Sequence, residues 1–281
     1  MEKINGNIWV ETEYFGANIG IVKTSLGCVL IDTPMNPSDQ DHLIKEVKNN
    51  ELGEITWIIT TDHHLDHFMG ASFLPGKLIS HHAVRGRFMK AFGPIEKIVK
   101  RVSWSDPKGA KRLRDFQIKE PLITFDGGLR LFFDPVTIHL KPFTGHTPHT
   151  ICVRIEPEGV LFTGDNVVNS IPPFFHDAEE PLKWIDSLEA MKRLCFDILV
   201  PGHGEVAGRE IIDEMIVKVQ AVIDEVRGQL NSGMNEQQMY ERIRYLTDFT
   251  DKQTENPALK EFYRQLEKRG VGKIIRALKQ C

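Results

Sequence analysis

The chain has 281 residues, a net charge of −4 at pH 7 and a hydrophobic content of 41%. This length allows one large domain or a domain with an appendage, and the composition is that of an ordinary globular protein. A negative net charge gives no indication of binding to nucleic acid or to anionic membranes. No apolar run reaches the roughly 18 residues that would predict a membrane-spanning helix.

The N-terminus and the cysteines bear on cellular location. The sequence MEKINGNIWV lacks a basic start followed by an apolar core, so it does not predict a signal peptide. Cys28, Cys152 and Cys195 lie among apolar residues, and none belongs to a Cys-x-x-Cys pair. We therefore expect buried free thiols and a cytoplasmic protein.

The first part of the chain predicts strands that lead into polar loops. Residues 8–32 predict a run of strands, and a helix is expected over residues 39–50 with Ser38 as its N-cap. The apolar run ITWIIT, residues 55–60, predicts a strand that is buried on both faces. The loop DHHLDH, residues 62–67, follows directly, at the strand end where ligands converge in layered α/β folds.

A strongly basic segment follows the predicted strand KLIS. Residues 85–119 contain eleven Lys or Arg against three acidic residues, which is a local charge of +8. We expect a helical insertion at about residues 85–120. Two interpretations stay open: a solvated helical surface balanced by acidic groups elsewhere, or a lid that attracts an anionic substrate.

The second half of the chain predicts more strands and then mostly helix. The expected strands are residues 128–133, 136–141, 149–155, 160–163 and 197–200. The expected helices are residues 181–194, 209–229, 235–248 and 257–280. We therefore expect an α/β domain over residues 1–208 and a C-terminal helical extension over residues 209–281.

Four short elements carry candidate metal ligands, and each follows a predicted apolar strand. They are the DHHLDH loop, His146 in FTGHTPHT, Asp165 in LFTGDN and His203 in LVPGHG. This ordered set resembles the metallo-β-lactamase-fold hydrolase superfamily over roughly residues 1–208. The resemblance implies a four-layer αββα sandwich and a hydrolase with two divalent metal ions.

The resemblance also implies which side chains hold the metal ions. They are Asp62, His64 and His146 (called site one), Asp66, His67 and His203 (called site two), and Asp165 as the bridge between them. Carboxylates around two nearby cations reduce the repulsion between the cations. Neutral imidazoles fill the remaining positions without adding charge.

One position departs from the superfamily's first motif, His-x-His-x-Asp-His, because Asp62 replaces its first histidine. Three interpretations stay open. Asp62 is itself a ligand and shifts the preference of site one from zinc toward iron or manganese. His63 swings in to replace the missing histidine, which needs a local distortion. Site one is weak or empty, and only site two holds metal. We favour the first, because His64, His146 and Asp165 all remain.

The implied reaction is hydrolysis of a small ester, lactone, thioester or phosphoester by a hydroxide that the two metal ions share. Asp66 is expected to orient the attacking water as well as to bind metal. His176, in IPPFFHDAE, is a candidate proton donor because the loop could line the substrate pocket. Asp32, at the end of a predicted strand, is a candidate hydrogen-bond partner of the metal-binding loop.

Other functions stay open. The carboxylate at position 62 is also compatible with a di-iron redox or oxygen-sensing protein on the same fold. A non-catalytic metal-binding module is a further alternative. The apolar stripes of the C-terminal helices predict packing onto the α/β domain, with formation of a homodimer as the alternative.

Overall fold

Two β-sheets packed face to face form the centre of the protein, and helices cover both outer faces. The structure, a computed structural model, describes residues 1–280, apart from the side chain of Asp115.

The first sheet has seven strands, which lie side by side in chain order. They are β1 (Glu2–Asn5), β2 (Ile8–Glu11), β3 (Ile19–Thr24), β4 (Gly27–Ile31), β5 (Ile55–Ile59), β6 (Lys77–His81) and β7 (Ile123–Phe125). Strands β1 to β4 are antiparallel, and β4 to β7 are parallel. The parallel half brings the ends of β4, β5 and β6 to one edge of the sheet.

The second sheet has five strands. They are β8 (Leu129–Phe133), β9 (Val136–Pro142), β10 (Ile151–Glu156), β11 (Val160–Phe162) and β12 (Ile198–Val200). Their spatial order is β12-β11-β10-β9-β8, antiparallel except for the parallel pair β11 and β12. That pair brings the ends of β11 and β12 to one edge of the second sheet.

The helices fall into two groups. Those on the first sheet are α1 (Pro37–Asn49), α2 (Leu65–Phe68), α3 (Ala83–Phe92) and α4 (Ile95–Val102). Those on the second sheet are α5 (Lys183–Lys192), α6 (Glu210–Asn231), α7 (Glu236–Arg242), α8 (Tyr245–Gln253) and α9 (Pro257–Gln280). Short 3₁₀ helices lie at Met69–Ser72, Gly109–Asp115 and Gly164–Asn166.

Three apolar clusters hold these layers together. Leu30 and Ile58 of the first sheet pack with Leu43 of α1. The space between the sheets is filled by a second cluster, and a third joins Leu161 of β11 to Ile274 of α9. The expected four-layer αββα sandwich with C-terminal helices is therefore confirmed. The division into a domain and an extension at residues 208 and 209 stays a prediction.

Three local predictions are wrong. Helix α1 begins at Pro37, because proline suits the first helical position. Ser38 is therefore inside the helix, where its N–H donates to Asp106 Oδ2 at 3.0 Å. Cys195 is exposed, because it lies in the loop after α5. The single helix expected at residues 235–248 is interrupted after Arg242 and resumes at Tyr245.

The basic segment is helical, as expected, and forms α3, α4 and the 3₁₀ helix that follows them. Some of its cations pair with acidic residues elsewhere, as Arg87 does with Glu179 and Arg112 with Asp41. Its role as a lid stays a prediction. Within residues 1–280, no helix is both long and apolar enough to cross a membrane.

The break between α7 and α8 has a partner on α9. Glu267 is 3% exposed. Its Oε1 accepts hydrogen bonds from the N–H groups of Leu246 and Thr247 at 2.7 and 3.1 Å, and its Oε2 accepts one from the Thr247 hydroxyl. One carboxylate therefore satisfies the first turn of α8.

We predict that Glu267→Ala lowers the free energy of unfolding by about 1–3 kcal/mol, because it leaves buried donors without an acceptor. Urea unfolding followed by circular dichroism measures the change. Glu261→Ala, at an exposed position of the same helix, serves as the control and should change stability by less than about 0.5 kcal/mol. Equal effects of the two substitutions would contradict the role assigned to Glu267.

Candidate metal centre

The candidate ligands lie on loops that leave the strand ends of both sheets. The DHHLDH loop follows β5 and continues into α2. His146 lies on the loop between β9 and β10, Asp165 on the 3₁₀ helix after β11, and His203 on the loop after β12. The packing of the two sheets therefore brings side chains together that are up to 141 positions apart in the chain, from Asp62 to His203.

The three residues of site one form one cluster. Asp62 Oδ2 lies 3.0 Å from His64 Nδ1 and 3.8 Å from His146 Nε2. The two imidazole nitrogens are 3.2 Å apart. The other oxygen of Asp62 accepts the N–H of His64 at 2.8 Å. Asp62 is thus inside the cluster. The His63 ring instead faces Asp177, with His63 Nε2 3.3 Å from Asp177 Oδ2, which argues against the interpretation in which His63 replaces the missing histidine.

The three residues of site two form a neighbouring cluster, in which one donor atom from each lies within 4.8 Å of the others. His203 Nε2 lies 3.4 Å from Asp66 Oδ2. Asp66 and His203 are partly exposed, whereas His67 is fully buried. This cluster therefore lies on the more open side of the centre.

Asp165 lies between the two clusters. Its Oδ1 is 3.3 Å from His67 Nε2 and 3.4 Å from His203 Nε2, and its Oδ2 is 3.6 Å from His146 Nε2. This placement of Asp165 requires glycine at residue 202, because a Cβ atom on residue 202 would collide with Asp165 Oδ1. A single carboxylate therefore contacts imidazoles of both clusters.

Hydrogen bonds from outside the clusters fix which imidazole nitrogen faces inward. His67 Nδ1 lies 2.8 Å from Asp32 Oδ2, and His146 Nδ1 lies 2.8 Å from the carbonyl oxygen of Phe174. Both nitrogens face acceptors and so carry the proton, which leaves each Nε2 free to bind metal. The predicted contact between Asp32 and the metal-binding loop is confirmed. Asp32 also accepts the N–H of Thr61 at 2.6 Å.

Electrostatics keep the buried acids ionised. Burial alone would favour the neutral forms of Asp62 and Asp165. His67 contacts Asp165, and its charge also acts on Asp62. Together with His64 at Asp62 and His203 at Asp165, it holds the pKa of both carboxyl groups well below the usual range. The centre therefore places negative charge where burial would otherwise exclude it.

Two atoms in the middle of the centre lack a hydrogen-bond partner. Across the described part of the chain, His67 Nε2 and Asp165 Oδ1 are buried and have none. Buried polar atoms are rarely left unpaired, and a bound cation would satisfy both of these. Imidazole nitrogens and carboxylate oxygens suit zinc, iron and manganese. The residues therefore fit divalent metal ions.

The predicted proton donor lies beside site one. His176 is 8% exposed, and its Nε2 lies 3.2 Å from His64 Nε2. The next residue, Asp177, is not among the site residues predicted from the sequence, yet its Oδ2 lies 3.1 Å from His64 Nε2. The pair His176-Asp177 was visible in the sequence, but its separation from His64 by more than 110 positions hides the contact. His149 is 2% exposed, and its Nε2 lies 3.2 Å from His63 Nδ1.

Comparison with curated proteins gives several distant relatives. "Beta-lactamase-like protein 2 homolog" of Caenorhabditis elegans is 25% identical over 74% of this chain and 61% of its own length. "Metallo-beta-lactamase type 2" of Bacillus cereus is 25% identical over 75% of this chain and 79% of its own. "Atrochrysone carboxyl ACP thioesterase" of Aspergillus fumigatus is 24% identical over 74% and 56%. The chain therefore spans less than two thirds of the first and third of these relatives.

Solved structures share the fold. A metallo-β-lactamase from Pontibacter korlensis has a TM-score of 0.63 at 18% identity, covering 78% of this chain and 97% of its own. A stereoselective inverting sec-alkylsulfatase from Pseudomonas sp. has a TM-score of 0.70 at 14% identity, covering 98% of this chain and 50% of its own. The second match includes most of the C-terminal helices.

The family model described as "Metallo-beta-lactamase superfamily" matches residues 13–203, which is more than half of the chain. The matched region contains every predicted metal ligand and ends at His203. The chain thus belongs to the metallo-β-lactamase superfamily of hydrolases.

Proposed function

We propose that the protein is a dinuclear metal-dependent hydrolase in which site one and site two each hold one divalent ion. The observation that carries this proposal is the position of Asp165, whose two oxygens contact imidazoles of both clusters. Metal ions bound there would supply a water of lowered pKa and would polarise the substrate oxygen.

Asp66 is proposed to orient the attacking water. Its side chain is 25% exposed, and its Oδ2 lies beside His203 at 3.4 Å. A carboxylate at the open side of the centre can accept a hydrogen bond from water while it also binds a cation. The close approach of Gly16, where a Cβ would lie 2.8 Å from Asp66 Cβ, limits the positions available to this side chain.

His176 is proposed to give a proton to the leaving group. Burial and the nearby His64 hold the pKa of His176 well below its usual range, so the imidazole is neutral at pH 7. A neutral imidazole still carries one N–H, which can be donated to a leaving alkoxide because the alkoxide is a stronger base. This role requires the substrate to reach a largely buried ring.

The proposed substrate is a small ester, lactone, thioester or phosphoester. The relative named as an acyl carrier protein thioesterase supports the thioester among these. We propose that the protein acts on this small molecule in the cytoplasm.

An arginine of the basic segment supports an anionic substrate. Arg101 of α4 lies 4.9 Å from the ring of Trp104 and 4.8 Å from that of Phe262. Its Nη1 is buried and has no hydrogen-bond partner within the described residues. Burial raises the pKa of Tyr263, and the charges of Arg101 and Asp66 act on this phenol in opposite directions. An anionic group of the substrate would satisfy the unpaired donor.

A di-iron redox protein is the second candidate, because Asp62 adds a hard oxygen donor to site one. The two functions differ in a direct measurement. The redox protein would hold iron with an absorption spectrum that changes on exposure to dioxygen, whereas the hydrolase would cleave activated esters without any redox change.

Metal content tests the ligand role of Asp62. For protein as purified, with no zinc added, we predict about two metal ions per chain in the parent and about one in Asp62→Ala, measured by elemental mass spectrometry, because a site of three protein ligands rarely survives the loss of one. Asp186→Ala, at an exposed position of α5, should retain two. One metal ion or fewer in both the parent and Asp62→Ala would show that site one does not bind metal.

Activity tests the reaction itself. We predict that the metal-loaded protein hydrolyses p-nitrophenyl acetate or an acyl-CoA thioester, and that removal of metal by a chelator lowers the rate at least 100-fold. Restoring the metal should restore the rate, because metal-bound water is the nucleophile. A fully loaded protein that cleaves none of the ester, lactone, thioester and phosphoester substrates would indicate a metal-binding module instead.

The contact of Asp32 with His67 should affect metal affinity. We predict that Asp32→Asn lowers the metal affinity of site two, to which His67 belongs, by about 10–100-fold. The reason is that an amide polarises the imidazole less than a carboxylate does. Asparagine tolerates the φ of +61° at this position, so the backbone is retained. Zinc titration against a competing chelator measures the affinity, with Asp186→Asn as control. Unchanged affinity would contradict this role.

A further inference from the structure

A third group of metal-type donors lies beside site one. His63 Nε2 is 3.3 Å from Asp177 Oδ2, and His64 Nε2 is 3.1 Å from the same oxygen. His176 Nε2 lies 3.2 Å from His64 Nε2 and 3.9 Å from Asp177 Oδ2. One donor atom from each of His63, His64 and Asp177 lies within 4.8 Å of the others. We call His63, His64, Asp177 and His176 the outer cluster.

These separations are those of ligands around a metal ion. Donors that each lie about 2.0–2.2 Å from a tetrahedral zinc ion are separated from one another by about 3.3–3.6 Å. Four of the six separations between donor atoms of the outer cluster are given above, three of them between 3.1 and 3.3 Å and one of 3.9 Å. Small rotations of the side chains would therefore bring its donors to a common ion.

Neighbouring groups orient the donors of the outer cluster. Asp177 Oδ1 accepts a hydrogen bond from Arg269 at 2.9 Å, which leaves Oδ2 directed at the two histidines. His63 Nδ1 lies 3.2 Å from His149 Nε2, so it can donate there and present an unprotonated Nε2 to the cluster. His63 is 3% exposed, and His149 is 2% exposed. Both ends of the cluster are therefore held by buried or charged partners.

His64 belongs to both groups of donors. Its Nδ1 lies 3.0 Å from Asp62 Oδ2 in site one, whereas its Nε2 faces Asp177 in the outer cluster. The imidazole ring therefore lies between the two positions, with one nitrogen directed to each.

We propose that His63, His64 and Asp177, with His176 as a fourth donor, form an additional binding position for a zinc-type divalent ion, joined to site one through the His64 ring. Three nitrogens and one oxygen suit zinc, cobalt or nickel and not magnesium or calcium. The proposal goes beyond the dinuclear function and shares two residues with it: His64, and His176, whose Nδ1 would remain for the proton transfer proposed above.

Filling both positions changes the protonation of His64. A neutral imidazole has one unprotonated nitrogen and one N–H. With a metal ion on Nδ1 in site one, a second ion on Nε2 would take the place of the ring proton, which would pass to the buffer. The ring would then carry one negative charge, offset by the two cations.

The test counts and locates zinc ions in the full-length protein. Equilibrium dialysis against zinc should give about three ions per chain for the parent and about two for Asp177→Asn and for His63→Asn. Asparagine at position 177 keeps an oxygen that accepts from Arg269 but binds metal poorly. The matched controls are the exposed Asp186→Asn and His139→Asn, whose histidine pairs with Glu156 away from the centre; both should keep three ions.

Anomalous scattering at the zinc edge, from crystals of the parent protein, locates each ion independently of any variant. A peak enclosed by His63, His64 and Asp177 supports the proposal, including when site one or site two shows no peak and the dinuclear function fails. Peaks in site one and site two alone overturn the proposal and leave the function standing. Asp177 would then act only as the hydrogen-bond acceptor that orients His63 and His64.

Discussion

The burial of acidic side chains where the edges of the two sheets meet is the constraint on which the rest of this structure depends. Asp32, Asp62 and Asp165 are 2%, 0% and 7% exposed. A buried charge is tolerated only with partners of opposite charge or a metal ion. Each of the three contacts at least one imidazole, and the histidines come from loops of both sheets. Packing of the two sheets therefore brings these acidic side chains together with the imidazoles that offset their charge.

The sequence alone was sufficient for the parts of this arrangement that depend on local pattern. The run ITWIIT predicts a buried strand because β-branched and apolar residues suit a layer covered on both faces, and β5 occupies residues 55–59 of it. The same holds for residues 160–163 and β11. Since polar motifs follow these strands directly, their convergence at one edge could be anticipated, and the superfamily resemblance supplied the pairing between motifs.

What the sequence could not provide depends on contacts between distant residues. The break before Tyr245 was missed because Glu267, which accepts the N–H groups of α8, lies about 20 positions away on another helix. Asp177 was missed because an acidic residue on a polar loop is ordinarily solvated. Only the packing of α9 against that loop brings Arg269 to it, and this contact directs Asp177 toward His64. Local pattern carries no information about either contact.

The contact of α9 with the loop that carries His176 and Asp177 has a consequence for where this protein can be divided. Residues 257–280 lie beyond the matched region, which ends at residue 203. Yet Gly270 packs against Phe175, where a Cβ would lie 2.9 Å from the Phe175 Cβ, and Arg269 binds Asp177. A gene fragment cut to the matched region would lose one wall of the centre and uncover the apolar side chains beneath it. Replacing the C-terminal helices would therefore also replace Arg269, whose contact with Asp177 supports the carboxylate that faces His64.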